Sequence, residues 1–117
     1  MKARSSRAAK AHEFGKKARE EIWKRDGGQC IFCRRSYYEE ESTWYGRQML
    51  TVMHYVPRSR GGLGIPENGA IGCVFHHDMM DNGYKGRREE MLRIFRDYLE
   101  HKYPGWNEER LIYDKWR

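Results

Sequence analysis

The sequence contains no long apolar run. Hydrophobic residues make up 38% of its 117 positions, the mean hydropathy is −1.04, and no stretch approaches the roughly 20 apolar residues that a bilayer span requires. A membrane span and a secretory signal peptide are therefore not expected, and the chain reads as soluble and cytoplasmic. Cysteine is scarce as well, with Cys30, Cys33 and Cys73 the complete set. Three is an odd number and too few for the disulfide framework of a secreted domain, so a metal site accounts for them better. Acidic residues are short in one region only. Lys and Arg number 23 against 17 Asp and Glu, a formal charge of +6. Residues 1–25 hold nine bases and three acids, whereas residues 26–117 hold 14 of each. The whole positive excess lies in the first 25 residues.

A chain of this length forms one small domain, and with this polarity its apolar core is thin, so a structural metal would supply stability that packing does not. Residues 1–10 read as a mobile basic arm and residues 11–117 as the single domain. From about His12 to Arg25 the spacing of Ala11, Phe14, Ala18 and Ile22 predicts an amphipathic helix with its bases on the other face, stopped by Asp26, Gly27 and Gly28. Residues 34–47 mix Tyr37, Tyr38, Trp44 and Tyr45 with Glu39, Glu40 and Glu41 and take no firm assignment. Residues 48–56 are rich in strand formers and end at Pro57, and Gly69 to Val74 can supply an antiparallel partner across a long glycine-rich loop. A short helix is expected from about His76 to Asn82 and Gly83. Met91, Leu92, Phe95, Tyr98 and Leu99 predict a longer one over 87–102, closed by Pro104 and Gly105. Asn107 would cap a last short helix. The expected class is α+β, with helices at both ends.

Cys30-x2-Cys33 and Cys73-x2-His76 are two knuckles with the spacing that lets a loop present two ligands to one tetrahedral ion. Four protein ligands leave no open position, so a Cys3His site of this kind is structural, with zinc the expected ion.

His54, Asn68 and His77 form a second constellation between and beside the knuckles. The run His54-Tyr-Val-Pro57-Arg-Ser-Arg-Gly61-Gly62, then Asn68, then Cys73-x2-His76-His77, resembles the HNH endonuclease family. The resemblance covers about residues 28–83 and is carried by ordered elements inside paired zinc knuckles. In small phage and prophage members the second knuckle usually ends in cysteine followed by histidine; here His76 takes the cysteine's place, a conservative exchange for zinc. The resemblance implies a ββα-metal core binding a catalytic divalent ion, Mg2+, Mn2+ or similar, that engages the scissile phosphate of DNA. His54 would then be the general base that deprotonates water, and His77 a ligand of the catalytic ion, leaving 5′-phosphate and 3′-hydroxyl ends. Asn68 would either orient His54 and hold the loop or bind the ion directly. By analogy alone, phage or prophage coding, a bacterial host cytoplasm and a partnership with phage terminase subunits are implied.

One position departs from the family. The residue before the general base is commonly an ion ligand, but here it is Met53, whose thioether suits Mg2+ or Mn2+ poorly. Asp81, four residues after His77 on the same helical face, is a candidate replacement, or else an ordinary capping or solvated aspartate. Arg58 and Arg60 beside Gly61 and Gly62 are candidate phosphate contacts, with Lys85, Arg87 and Arg88 extending the track, and the basic first 25 residues fit sequence-independent binding to DNA. The aromatic residues of 37–45 would stack on bases or pack over the knuckle. The alternative from another class is a catalytically weak or inactive zinc-knuckle module that binds DNA or protein.

Overall fold

The computed structural model describes residues 7–38, 44–83 and 86–113. Its centre is a two-stranded antiparallel sheet, β1 (Leu50–His54) and β2 (Gly69–Cys73), in the register Leu50↔Cys73, Val52↔Ile71 and His54↔Gly69. Strand alternation sorts β1 onto two faces. Val52 packs with Phe14, Ile22 and Ile71, and the His54 ring lies on Phe14 with centroids 4.3 Å apart. On the other face Met53 enters the main core with Ala70, Met79, Met80, Met91, Phe95 and Leu99. β2 is buried along its whole length.

The amphipathic segment expected as one helix is two. α1 (Arg7–His12) ends before Glu13, Phe14 lies in the break, and α2 (Lys16–Asp26) starts after Gly15, whose ψ is 177°. A continuous helix would keep Phe14 on the axis of α2, whereas the break lets its ring reach under the end of the sheet. Of residues 1–10, read as an arm, residues 7–10 are helical and belong to α1; residues 1–6 lie outside the described residues. α2 ends on Gly27, which takes φ 65°.

α3 (Trp44–Gln48) comes from the segment left without assignment; residues 39–43 lie outside the described residues. α4 (Val74–Asn82) follows β2 directly and is closed by Gly83, and α5 (Arg88–Lys102) runs close to its expected bounds with Met91, Phe95 and Leu99 buried. The last expected helix is a 3-10 turn over Glu108–Leu111, capped by the Asn107 side chain, which accepts from the Glu109 N–H at 2.9 Å.

Asp26 binds these elements together. Its carboxylate is fully buried and accepts from the Arg25 guanidinium at 2.7 and 3.1 Å, from the Ile71 N–H at 2.8 Å and from the Tyr98 hydroxyl. Arg25 spends its remaining donors on the carbonyls of Pro66 and Gly69 and on the Tyr103 hydroxyl. α2 is thereby tied to β2, to α5 and to the loop before β2. The positive charge of Arg25, counted above with the basic excess, is neutralised inside the domain. Among the described residues no helix is long and apolar enough to cross a membrane.

Candidate functional site

The four knuckle residues converge. The ligand atoms of Cys30, Cys33, Cys73 and His76 all lie within 4.8 Å of one another, with His76 Nδ1 at 3.6, 3.5 and 3.2 Å from the three sulfurs and Cys33 Sγ 3.7 Å from Cys73 Sγ. A tetrahedron around zinc, with bonds of about 2.0–2.3 Å, has edges of roughly 3.5–3.8 Å. The donor set and its spacing therefore fit a structural metal such as zinc. Two elements present the pairs. Cys30 and Cys33 sit on the turn after α2, which is docked by Ile31 N–H donating to the Ile71 carbonyl at 3.0 Å. Cys73 and His76 begin α4, where Cys73 is the N-cap and its sulfur accepts from the His76 N–H at 3.4 Å. A helix N-terminus favours a thiolate.

The electrostatics of the cluster follow from this crowding. The hydrogen bonds from Cys30 and from the His76 backbone N–H pull Cys73 down to about 4, against the opposing effect of burial. The same bond to Cys73, together with burial, pushes Cys30 strongly up, while burial and the Cys73 charge raise Cys33 to about 11. The other His76 nitrogen, Nε2, faces the Tyr37 carbonyl at 2.5 Å. A carbonyl only accepts, so Nε2 carries the hydrogen and Nδ1 keeps its lone pair for an ion. The Tyr37 ring lies near those of Phe32 and His76, so this aromatic residue packs over the knuckle. The side chains of Trp44 and Tyr45 lie outside the described residues.

His54 ends β1 and opens the glycine-rich loop. Its Nε2 lies 2.8 Å from the His12 carbonyl, so Nε2 donates and Nδ1 is the nitrogen with a free lone pair. Burial, the charges of Arg58, His12 and His77 all lower its pKa from the usual 6.5, with only the His12 carbonyl acting in the opposite sense. His12 belongs to a strap over the loop: its Nδ1 lies 2.6 Å from the Gly62 carbonyl, and Gly64 N–H donates to the Ala11 carbonyl at 2.8 Å. The glycines make this closure feasible. A Cβ on Gly62 would sit 1.7 Å from the Val56 carbonyl oxygen, and one on Gly64 would sit 2.1 Å from that of Glu13. Their need is internal to the loop.

Asn68 is fully buried and wholly occupied by the loop. Its Oδ1 accepts from Val56 N–H at 2.8 Å, and its Nδ2 donates to the carbonyls of Val56 at 3.1 Å and Leu63 at 2.8 Å. Of the two roles open to it, the geometry is that of loop anchor.

His77 and Asp81 meet as the helical spacing predicts, with Nε2 3.1 Å from Oδ2 and both side chains partly in solvent. The other ring nitrogen, Nδ1, is 2.9 Å from Thr51 Oγ1. His77 thus stands beside the Thr51 face of β1, and His54 lies on the opposite, α2-facing side. Met53 between them is fully buried in the core and presents no ligand.

The candidate DNA contacts divide. Arg58 and Arg60 are exposed on a 3-10 turn that starts the loop, and Lys10, Lys16, Lys17 and Lys24 are exposed on α1 and α2. Arg88 instead donates to the Met80 carbonyl at the end of α4 at 2.8 Å, and Arg87 stacks 4.3 Å from the Tyr38 ring centroid. Both are thus engaged within the domain around the start of α5. Lys85 lies outside the described residues. Sequence reasoning missed Thr51 and the backbone roles of His12 and Tyr37. Thr51 is an ordinary strand residue, and the other two act at His54 and His76 through backbone carbonyls, which leave no signature in a side-chain pattern.

Fold and site together define a small α+β domain carrying a Cys3His group that could hold a structural metal such as zinc. Comparison with protein-family models, curated proteins and solved structures finds no match to the chain.

Proposed function

We propose that the chain is a metal-dependent endonuclease of the HNH kind, a ββα-metal domain braced by structural zinc that hydrolyses DNA phosphodiesters with little sequence specificity. The observation that carries this reading is the His77–Asp81 pair on the helix after β2, 3.1 Å between Nε2 and Oδ2, with His54 at the end of β1. One imidazole nitrogen and one carboxylate oxygen suit a divalent ion that keeps waters and takes phosphate oxygens, as Mg2+ and Mn2+ do. Such an ion, when bound, stabilises the charge developing on the phosphate and on the leaving oxygen.

The chain's own residues supply the rest. His54 stays neutral near pH 7 because burial and neighbouring positive charges oppose its protonation, so Nδ1 can take a proton from the water that attacks phosphorus. The P–O bond to the 3′ oxygen breaks, leaving 5′-phosphate and 3′-hydroxyl ends. Asn68 holds the loop between the two histidines in one shape. Arg58 and Arg60 contact the phosphate backbone, and the lysines of α1 and α2 add salt-dependent, sequence-independent affinity. Phage terminase subunits are the first partners to test. A weak or inactive zinc-knuckle binding module is the second reading, favoured by the burial of Met53 at a position where the family has an ion ligand.

Supercoiled plasmid separates the two. The nuclease reading expects nicking that needs Mg2+ or Mn2+, stops with chelator and is lost by at least a hundredfold in His54→Ala, in keeping with the general-base contribution of roughly 10²–10⁴. DNA binding by the native chain with no cleavage in either metal would overturn it.

A further inference from the structure

Thr51 has had no role in the chemistry so far, yet its hydroxyl touches His77. Oγ1 lies 3.1 Å from the Gly72 carbonyl and 2.9 Å from His77 Nδ1. A hydroxyl has one proton; when it goes to the Gly72 carbonyl, which only accepts, the imidazole donates Nδ1–H to Oγ1. The lone pair of the ring is then left on Nε2, 3.1 Å from Asp81 Oδ2. A lone pair and a carboxylate oxygen at that separation require a proton or a cation between them. The separation also matches the edge between neighbouring ligands of an octahedral ion with bonds near 2.1 Å, about 3.0 Å. The β-branched side chain of Thr51 has a stiff χ1, and its partner Gly72 is its direct neighbour in the sheet register. The hydroxyl is held in place before any ion arrives.

We propose that Thr51 is the positioning residue of the divalent-ion site, fixing His77 as the Nδ1–H form so that Nε2 and Asp81 Oδ2 address one ion; this rests on the nuclease reading above. β1 thereby supports the ion through Thr51, on the face toward α4, where the buried Met53 offers no ligand.

The test compares Thr51→Val, which keeps the shape and loses the hydroxyl, with Thr51→Ser, which keeps the hydroxyl. Mn2+ affinity is titrated on the zinc-loaded full chain, and the His77 ring nitrogens are followed by 15N NMR with Mg2+ bound. Thr51→Val is expected to weaken Mn2+ binding about tenfold, the lower end for loss of a group that orients a ligand, and to lose the Nδ1–H signature. Thr51→Ser is expected to remain within about threefold of native by the same measure and to keep the signature. Native affinity and an unchanged ring signature in Thr51→Val, with Asp81→Asn still weakening Mn2+, would overturn the role of Thr51 alone. A native chain that binds no Mn2+, or whose binding is indifferent to Asp81→Asn, would overturn the ion site itself.

Discussion

Removing the Asn68 side chain has a cost that can be worked from its contacts. The residue is fully buried, and Asn68→Ala deprives the Val56 N–H and the carbonyls of Val56 and Leu63 of their partner. Each unsatisfied buried group costs about 1–3 kcal/mol. Water entering the vacated space re-satisfies some of them, so a total near 3 kcal/mol is expected rather than the upper sum. In a domain of this size 1 kcal/mol moves the melting midpoint by roughly 4 °C, which puts the fall in Tm at about 12 °C. Asn68→Asp sharpens the test. Its carboxylate still accepts from Val56 N–H, but an oxygen now faces two carbonyl oxygens and has nothing to donate. Burial against acceptors raises the folded-state pKa of that carboxyl above its unfolded value, so the variant is least handicapped below the unfolded value and loses stability as pH rises through the folded one. Thermal melts of both variants at pH 5 and 7.5, each against native at the same pH, measure this. An Asn68→Ala midpoint within 3 °C of native, or an Asp variant relatively more stable at pH 7.5 than at pH 5, would refute the assignment of this side chain as the loop's anchor.

Other consequences concern the base and the zinc. Because His54 is held below its usual 6.5 by burial and by Arg58, His12 and His77, the acidic limb of the nicking rate is expected at a midpoint below pH 6.5 with saturating metal; a midpoint above that value would assign the limb to a different group. The same shift means that the stability contributed by His54 is fully present above pH 6.5 and is lost as pH falls through the lower folded-state value. Stripping zinc with a strong chelator, or Cys73→Ser, is expected to abolish cooperative thermal unfolding, since structural zinc contributes on the order of 10 kcal/mol against a net domain stability of about 5–15 kcal/mol. A sharp transition retained in metal-free protein would show that packing alone holds the fold.

Local patterns in the sequence determined a good deal. Ligand pairs three residues apart, Cys30 with Cys33 and Cys73 with His76, can only be presented by a tight turn or a helix start, so the cluster was legible before its geometry. The same holds for His77 and Asp81, whose spacing is one helical turn, and for Met91, Phe95 and Leu99, whose recurrence marks the buried face of α5. Both strands were legible from β-forming residues bounded by proline and glycine. Tertiary structure alone decided the break at Glu13–Gly15, which Phe14 requires in order to reach the sheet, and the neutralisation of Arg25 by buried Asp26. It also decided that Arg87 and Arg88 are engaged within the domain, that Asn68 clamps Val56 and Leu63, and that the His12 and Tyr37 carbonyls select the nitrogens of His54 and His76. The division has a physical cause: periodicity and ligand spacing are set by neighbours along the chain. Hydrogen-bond partners are chosen by proximity in space, and every residue but proline carries the same backbone donor and acceptor.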